Sequence, residues 1–137
     1  MLEQEIAAAL PEMRAHAESL MVDMVLVERP DGTTLDPDTL EEVPAFTSVV
    51  SSRGRVQRPG SLSPRESLSG GFEFGVNTVL VQLPLSVSGV LKGDRVTVTA
   101  LGPTTDPDLL GMVATVRANL TKTHPTKRTL ACEEVSS

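Results

Sequence analysis

Hydrophobic residues at the N-terminal end of the chain recur every three or four positions. The apolar positions are Leu2, Ile6, Leu10, Met13, Ala17, Leu20 and Met21, with mostly charged residues between them. This spacing places the apolar side chains on one face of a helix. Pro11 interrupts the pattern, so the segment forms either one long kinked helix or a shorter helix with the proline in its first turn. The sequence therefore predicts a helix over residues 1–21 whose apolar face packs on the sheet or on another chain.

From Val22 the hydrophobic period changes to two, which is typical of β-strands. The first strand is expected to end at residues 30–33, where Pro-Asp-Gly-Thr is a strong turn signal. A second strand is predicted from Ala45 to Gln57, and Gly54 within it suggests a bulge. Together these strands make residues 22–57 the first half of a sheet.

Regular structure is expected to lapse over residues 58–78, which are rich in Gly, Ser and Pro. A loop of about twenty residues is uncommon in a compact domain unless it has a function. Three glycines of this loop, Gly70, Gly71 and Gly75, bracket Phe72 and Phe74. In an extended backbone the two phenylalanines point the same way. They either enter a groove on a neighbouring subunit or begin the next strand and pack on the core of their own chain.

The clearest strand pattern lies in residues 79–135. Apolar residues recur at every second position from Val79 to Val87 and from Met112 to Leu120, apolar and polar residues alternate from Arg95 to Leu101, and Lys127 to Glu134 has Leu130 and Cys132 directed inward, with turn residues between these segments. Five or six short strands at hairpin spacing, preceded by a helix, favour a small antiparallel barrel or sandwich. The chain is thus predicted to be one domain, residues 1–137, mainly β with an N-terminal α-helix and one long irregular loop.

Composition supports a sheet, and charge is distributed unevenly along the chain. Valine occurs seventeen times, and β-branched side chains suit a pleated surface. Residues 1–48 contain eleven acids and two arginines, a net charge of −9, whereas residues 49–78 carry +2 and residues 79–137 carry +1. Two explanations fit this asymmetry: subunits that meet head to tail through complementary faces, or a solvated acidic helix and loop.

Residues suited to catalysis or metal binding are few. The chain has one cysteine, Cys132, and two histidines, His16 and His124. A Cys132–His124 pair on neighbouring strands would lack an oxyanion-hole loop, and a small buried apolar role for the thiol is favoured. The acidic residues 36–42 do not have EF-hand spacing. We therefore expect no enzyme, no metal and no cofactor, and no apolar run is long enough to span a membrane.

Basic residues fall into two groups that contain no acid. The first group is Arg53, Arg55, Arg58 and Arg65, and the second is Arg117, Lys122, His124, Lys127 and Arg128. On adjacent strands the two groups would form a basic strip for phosphates or an acidic partner, while ordinary solvated surface is the alternative. The sequence lacks the stacking aromatics of a sequence-specific nucleic-acid reader.

An ordered set of motifs carries a resemblance to a known class of proteins. The helical residues 10–21 lead into Val-Leu-Val-Glu-Arg at 25–29. Leu-Pro-Leu-Ser-Val follows at 83–87, Gly-Val-Leu-Lys-Gly-Asp-Arg-Val at 89–96 and Asp-Pro-Asp-Leu-Leu-Gly at 106–111. Over nearly the whole chain this order resembles the head-to-tail connector proteins of tailed bacteriophages, especially the stopper type of phages that infect actinobacteria.

The resemblance implies a β-barrel subunit that forms a homo-oligomeric ring between the portal or adaptor and the tail, closes the DNA channel and docks the tail. The implied partners are further copies of the chain, portal and adaptor proteins and tail-tube or tail-terminator proteins, with non-specific contact to packaged DNA. The implied location is the head–tail junction of the virion, after assembly in the host cytoplasm. In that family a long loop projects toward the channel or a neighbour, and residues 58–77 match it best. The alternatives are an adaptor or tail-terminator ring and, in a different class, a small barrel that binds nucleic acid or a protein.

Overall fold

The computed structural model describes residues 2–58, 77–121 and 125–135, with the side chains of the first segment described from residue 4. The described residues form one helix, α1 (Leu2–Ser19), and the strands β1 (Asp23–Leu35), β2 (Glu42–Gln57), β3 (Thr78–Leu83), β4 (Arg95–Ala100), β5 (Val113–Leu120) and β6 (Arg128–Glu134). A short 3₁₀ turn, Pro107–Leu109, precedes β5.

The strands close into a barrel in the order β1-β2-β3-β6-β5-β4. Every pairing is antiparallel, and β4 returns to β1 through the register Val25↔Val98 and Val27↔Val96. Closure gives every strand two neighbours, although β2 pairs with β3 only from Arg55 to Gln57 among the described residues. The predicted fold class, mainly antiparallel β with an N-terminal helix, is confirmed.

The core is a set of aliphatic side chains that point into the barrel from alternate strand positions. Its fully buried members include Val25, Val27, Val79, Val81, Leu83, Val96, Val98, Val116, Leu130 and Cys132. None of the buried core residues in the described segments is aromatic. Because the interior of a six-stranded barrel is narrow, valine and leucine fill it without the bulk of a ring.

Helix α1 contains Pro11 in its interior, so the alternative of one long helix is the one observed. Ile6, Leu10 and Ala17 are half-buried. On the same stripe of the helix, the Nε of Arg14 donates a hydrogen bond of 3.2 Å to the carbonyl of Pro125. Met13 remains exposed, so the barrel covers only part of the apolar face that the sequence indicates.

The turn predicted at residues 30–33 is wrong, because β1 continues to Leu35. The pairing of β1 with β2 shifts register between Pro30 and Thr33, so Pro-Asp-Gly lies in an irregularity of one continuous hairpin. An irregularity of this kind can hold a proline, which has no backbone N–H to donate to the neighbouring strand. It bends the strand but does not end it. The chain reverses at residues 36–40 instead.

The bulge expected at Gly54 is also wrong. Gly54 pairs with Asp23 at the end of a regular register, and an added Cβ would lie 3.1 Å from Cδ2 of Leu83. The glycine therefore allows β2 and the side chain of Leu83 to approach closely. Strand β3 ends at Leu83, earlier than the alternation to Val87 predicts. Most of the predicted long loop, residues 59–76, lies outside the described residues.

Candidate interaction surface

A two-stranded hairpin extends beyond the barrel. Strand β1 pairs with β4 only from Met24 to Glu28, whereas its pairing with β2 continues to Leu35. Residues 29–47, which we call the arm, are therefore paired only with each other among the described residues. Between Pro30 and Thr47 the arm has five carboxylates and no lysine or arginine. The arm is thus an acidic element with two free backbone edges.

The base of the arm is fixed by two arginines. Arg29 donates hydrogen bonds of 3.0 Å from Nε and Nη2 to the two oxygens of Asp94, which is 1% exposed. The hydrogen bond to Asp94 raises the pKa of Arg29 above its usual value, so the guanidinium remains charged. Arg95 lies 3.4 Å from the ring centre of Phe46 and donates a hydrogen bond of 2.9 Å to Glu28. The arm therefore leaves the barrel in a defined direction.

The tip of the arm is a compact loop held by its own hydrogen bonds. The N–H of Leu40 donates to the carbonyl of Asp36 at 2.8 Å, and the N–H of Asp36 donates to the carbonyl of Glu41 at 2.9 Å. Leu40 has a positive φ of 59°, which is uncommon for a leucine. Its side chain is 72% exposed, and that of Leu35 is 57% exposed. The loop thus presents two leucines to solvent between carboxylates.

An open cleft of about 350 Å³ lies at the other end of the barrel segment of β1. We define the cleft by Leu20, Val22, Arg55, Val56 and Leu109, which line it. Leu20 and Val22 are 41% and 45% exposed. The cleft therefore combines apolar side chains with polar ones, which are Ser19, Asp23, Arg55, Thr104, Thr105 and Asp106.

One buried carboxylate fixes the wall of the cleft. Asp23 is 4% exposed and accepts hydrogen bonds from the N–H of Gly102, at 2.8 Å, and from the hydroxyl of Thr105. Val22 touches the backbone at Gly102 so closely that an added Cβ there would lie 2.6 Å from Cβ of Val22. The loop after β4 is thereby held against the first residues of β1.

The basic residues predicted on β2 lie near the cleft end of that strand, and they differ in whether they form an ion pair. Arg53 lies 3.6 Å from Glu18 of α1. Arg58 lies 2.7 Å from Glu134 of β6. Arg55 lines the cleft and makes no ion pair with any residue that the structure describes. Arg65 lies outside the described residues.

The second basic group lies elsewhere on the barrel. Arg117 on β5 donates a hydrogen bond of 3.0 Å to Glu133, and Arg128 donates to the carbonyls of Val87 and Leu85, both at 3.1 Å. Lys127 also has an interaction partner, while Lys122 and His124 lie outside the described residues. Strand β5, which carries Arg117, is separated from β2 by β3 and β6 on one side and by β1 and β4 on the other, and β6, which carries Arg128, is separated from β2 by β3. The two groups therefore do not meet on adjacent strands as one strip.

The predicted aromatic segment is not described by the structure. Gly70, Gly71, Phe72, Phe74 and Gly75 all lie within residues 59–76. The role proposed for them at a subunit interface or a channel stays a prediction from the sequence.

The structure gives Cys132 the buried position expected from its strand parity. The thiol points into the core, and burial raises its pKa to about 12. No group of three or more His, Cys, Asp or Glu side chains that could hold a metal ion occurs within the described segments. No helix in the described part of the chain is long and apolar enough to cross a membrane.

Sequence reasoning missed both the arm and the cleft. The arm is hidden because Pro-Asp-Gly at 30–32 has the composition of a turn. A usable signal was the scarcity of hydrophobic residues between Glu28 and Glu42, which would suit a hairpin surrounded by water. The cleft combines residues from α1, β2 and the loop after β4, and no local pattern connects them.

Comparisons with known proteins give one family and one structure. A family model described as "Family of unknown function (DUF6093)" matches residues 13–133. No curated protein matches the chain. The solution structure of protein SF1141 from Shigella flexneri 2a is similar with a TM-score of 0.54 and 21% identity, over 82% of this chain and 90% of that one. At this identity the similarity concerns the fold alone.

Proposed function

The chain belongs to the DUF6093 family, whose function is unknown, and on that premise we propose that it is a structural virion protein of a tailed bacteriophage. Its role is that of a head-to-tail connector of the stopper type. Copies form a ring between the portal or adaptor and the tail, close the DNA channel and dock the tail. The motif order from residue 10 to residue 111 is the basis for assigning this class of protein.

One structural observation carries the assembly part of the proposal. A single small barrel has a projecting arm at one end of β1 and an open cleft at the other. Surfaces of different shape at opposite ends suit heterologous contacts, which generate rings when the rotation between subunits closes. The partners are further copies of the chain, the portal or adaptor and tail proteins. An adaptor or tail-terminator ring is a close alternative within the same class.

A small barrel that binds nucleic acid is the alternative from a different class. It requires a continuous cationic surface, because phosphate contacts dominate such affinity. Among the described residues, Arg58 and Arg117 are paired with glutamates and Arg128 donates to backbone carbonyls. These contacts favour structural roles for the three arginines, and DNA contact in the proposal is limited to the packaged genome in the channel.

The decisive experiment removes the chain from the assembling phage. Particles made without it are expected to be heads that lose DNA or fail to join tails, and supplying the wild-type chain from a plasmid should restore tailed particles. Electron microscopy counts filled, tailed and tailless particles. Normal yields of DNA-filled, tailed particles in the absence of the chain would overturn the proposal. Tight DNA binding by the purified monomer that weakens steeply with salt would favour the nucleic-acid alternative.

A further inference from the structure

The arm has the properties of a hairpin that binds to another surface. A two-stranded hairpin is marginally stable in water, yet this one extends past the barrel with both edges unpaired among the described residues. Along β1, twelve residue steps separate Asp23 at the cleft from Leu35 near the tip, a span of at most about 40 Å at 3.3 Å per residue. The two exposed leucines of the tip do not line the cleft of their own chain. Any contact between tip and cleft must therefore join two molecules.

The tip is organised before it meets a partner. Hydrogen bonds across residues 36–41 fix the loop, and Leu40 keeps an uncommon positive φ while its side chain stays exposed. Strained residues persist where the surrounding structure enforces them, often at binding elements. A rigid loop also loses little conformational entropy on docking. These features suit a leucine that inserts into an apolar depression.

The cleft offers the tip an apolar contact and an arginine. Its exposed apolar residues, Leu20 and Val22, can cover a leucine side chain, and its volume of about 350 Å³ exceeds that of one side chain. Two carboxylates also line it: Asp23 is buried and accepts hydrogen bonds from Gly102 and Thr105, and Asp106 is exposed and accepts from the N–H of Asp108. Arg55 is the cation of the lining and makes no ion pair with any residue that the structure describes. It would face Asp38 and Glu41 beside the inserted leucine.

We propose that the tip of the arm in one copy of this chain docks in the cleft of the next copy, with Leu40 against Leu20 and Val22 and the tip carboxylates beside Arg55. This inference rests on the proposed function, since it names the contact by which the ring forms. The contact is heterologous, so each copy uses its arm on one side and its cleft on the other. Repetition of one such contact gives a closed ring or an open filament, depending on the rotation.

Engineered disulfides test the contact directly. The double variant Leu20→Cys/Leu40→Cys is oxidised at high protein concentration and separated on a non-reducing gel. It is expected to give a ladder of dimers, trimers and higher multiples, with the two new cysteines identified as the cross-linked pair by mass spectrometry. A mixture of the two single variants should stop at dimers, because each copy then has one reactive end. The natural Cys132 is buried and does not compete.

The matched control is Leu20→Cys/Leu91→Cys, because Leu91 is an exposed leucine on the turn before β4, away from the tip. A ladder from the test pair that greatly exceeds that of the control supports the contact. An absent ladder, or an equal one in the control, overturns it. The buried Cys132 also reports folding, since it should stay unreactive in each variant.

A charge exchange provides a second measurement. In the Leu20→Cys/Leu40→Cys background, Arg55→Glu is expected to lower the cross-linking yield about tenfold, because like charges then meet at the interface. Adding Glu41→Arg should restore the yield, whereas Arg117→Glu on β5 should leave it unchanged. Equal yields in all of these variants would contradict the arrangement.

The two proposals fail in different ways. If particles need the chain but the tip and the cleft do not cross-link in purified protein or in particles, the contact is wrong and the connector role stands. If the cysteines cross-link while particles assemble normally without the chain, the connector role is wrong and the contact stands.

Discussion

Arg29 holds the carboxylate of Asp94 through two hydrogen bonds of 3.0 Å, and this pair ties the base of the arm to the turn that starts β4. Asp94 also accepts the N–H of Leu91 at 2.8 Å, and Arg29 donates to the carbonyl of Gly89 at 2.7 Å. The Gly-Asp-Arg-Val motif at 93–96 thus has a physical role in this chain. Its aspartate is a buried acceptor that organises the turn and anchors β1.

Replacement of Asp94 by alanine should destabilise the fold. The substitution leaves the N–H of Leu91 and the guanidinium of Arg29 without their buried acceptor, at a cost of about 2–3 kcal/mol in the free energy of unfolding. Urea denaturation followed by circular dichroism measures the change. The control Asp108→Ala removes the same charge from an exposed position and should change stability by less than about 0.5 kcal/mol. Equal losses in the two variants would contradict the role of Asp94.

Cys132 should make stability depend on alkaline pH. Burial raises the pKa of its thiol from 9.0 to about 12, so the unfolded chain ionises the thiol at a lower pH than the folded chain. The contribution is constant below about pH 9, and stability falls as pH rises from 9 toward 12, by up to about 4 kcal/mol for three pKa units.

The measurement is a set of urea denaturation curves between pH 8 and pH 11. The chain has no tyrosine, so the lysines are the main other groups that titrate in this range. The variant Cys132→Ala should lose most of the alkaline decline that the wild-type chain shows. An unchanged decline in that variant would show that other groups cause it.

The sequence predicts correctly which residues of several strands face the interior of the barrel. Val79, Val81 and Leu83 share one parity and all point into the core, as do Leu130 and Cys132. This works because the pleat alone determines which residues share a face. The prediction fails at Gln82, which is buried although its parity points outward. Its amide bonds to the side chain of Gln57 on β2, a contact that alternation cannot anticipate.

The candidate site depends on information that is not local. Whether Pro30 begins a turn or lies in an irregularity is decided by pairing with Phe46 on β2. Likewise, the partner of Arg117 depends on the register between β5 and β6, which shifts near Val116. Strand order in the closed barrel places the described members of the two basic groups on strands that are not neighbours, and no property of either group alone predicts that order.

Gly102 should be intolerant of a side chain. An added Cβ would lie 2.6 Å from Cβ and Cγ2 of Val22 and 2.9 Å from its carbonyl oxygen. The loop after β4 must then move away from β1, so Gly102→Ala is expected to cost about 1–3 kcal/mol of unfolding free energy. Because part of the clash involves Cβ and Cγ2 of Val22, the added variant Val22→Gly, which removes both atoms, should recover some of that loss. Strictly additive losses in the double variant would argue against the contact.

The arm should be dispensable for folding and required for assembly. In the proposed test, residues 33–44 are replaced by a two-residue Asn-Gly turn, which keeps the pair Pro30↔Phe46 and the stacking of Arg95 on Phe46. The removed residues are mostly exposed and pair only with each other among the described residues. The midpoint of urea denaturation should therefore stay close to that of the wild-type chain. Because the tip leucines and carboxylates are lost, particles that carry the shortened chain should lack tails or leak DNA.

A second variant distinguishes the loss of the Leu40 side chain from the shortening of the arm. Leu40→Asp keeps the whole arm and replaces one exposed side chain, so a folding defect is not expected. If insertion of Leu40 into a neighbour drives assembly, this single change should reproduce the assembly defect of the shortened arm, whereas Leu91→Asp on the turn before β4 should not. Normal assembly with Leu40→Asp, combined with failure of the shortened arm, would assign the interaction to the strand edges of the hairpin. Backbone pairing with the neighbour, rather than a leucine in a cleft, would then join the subunits.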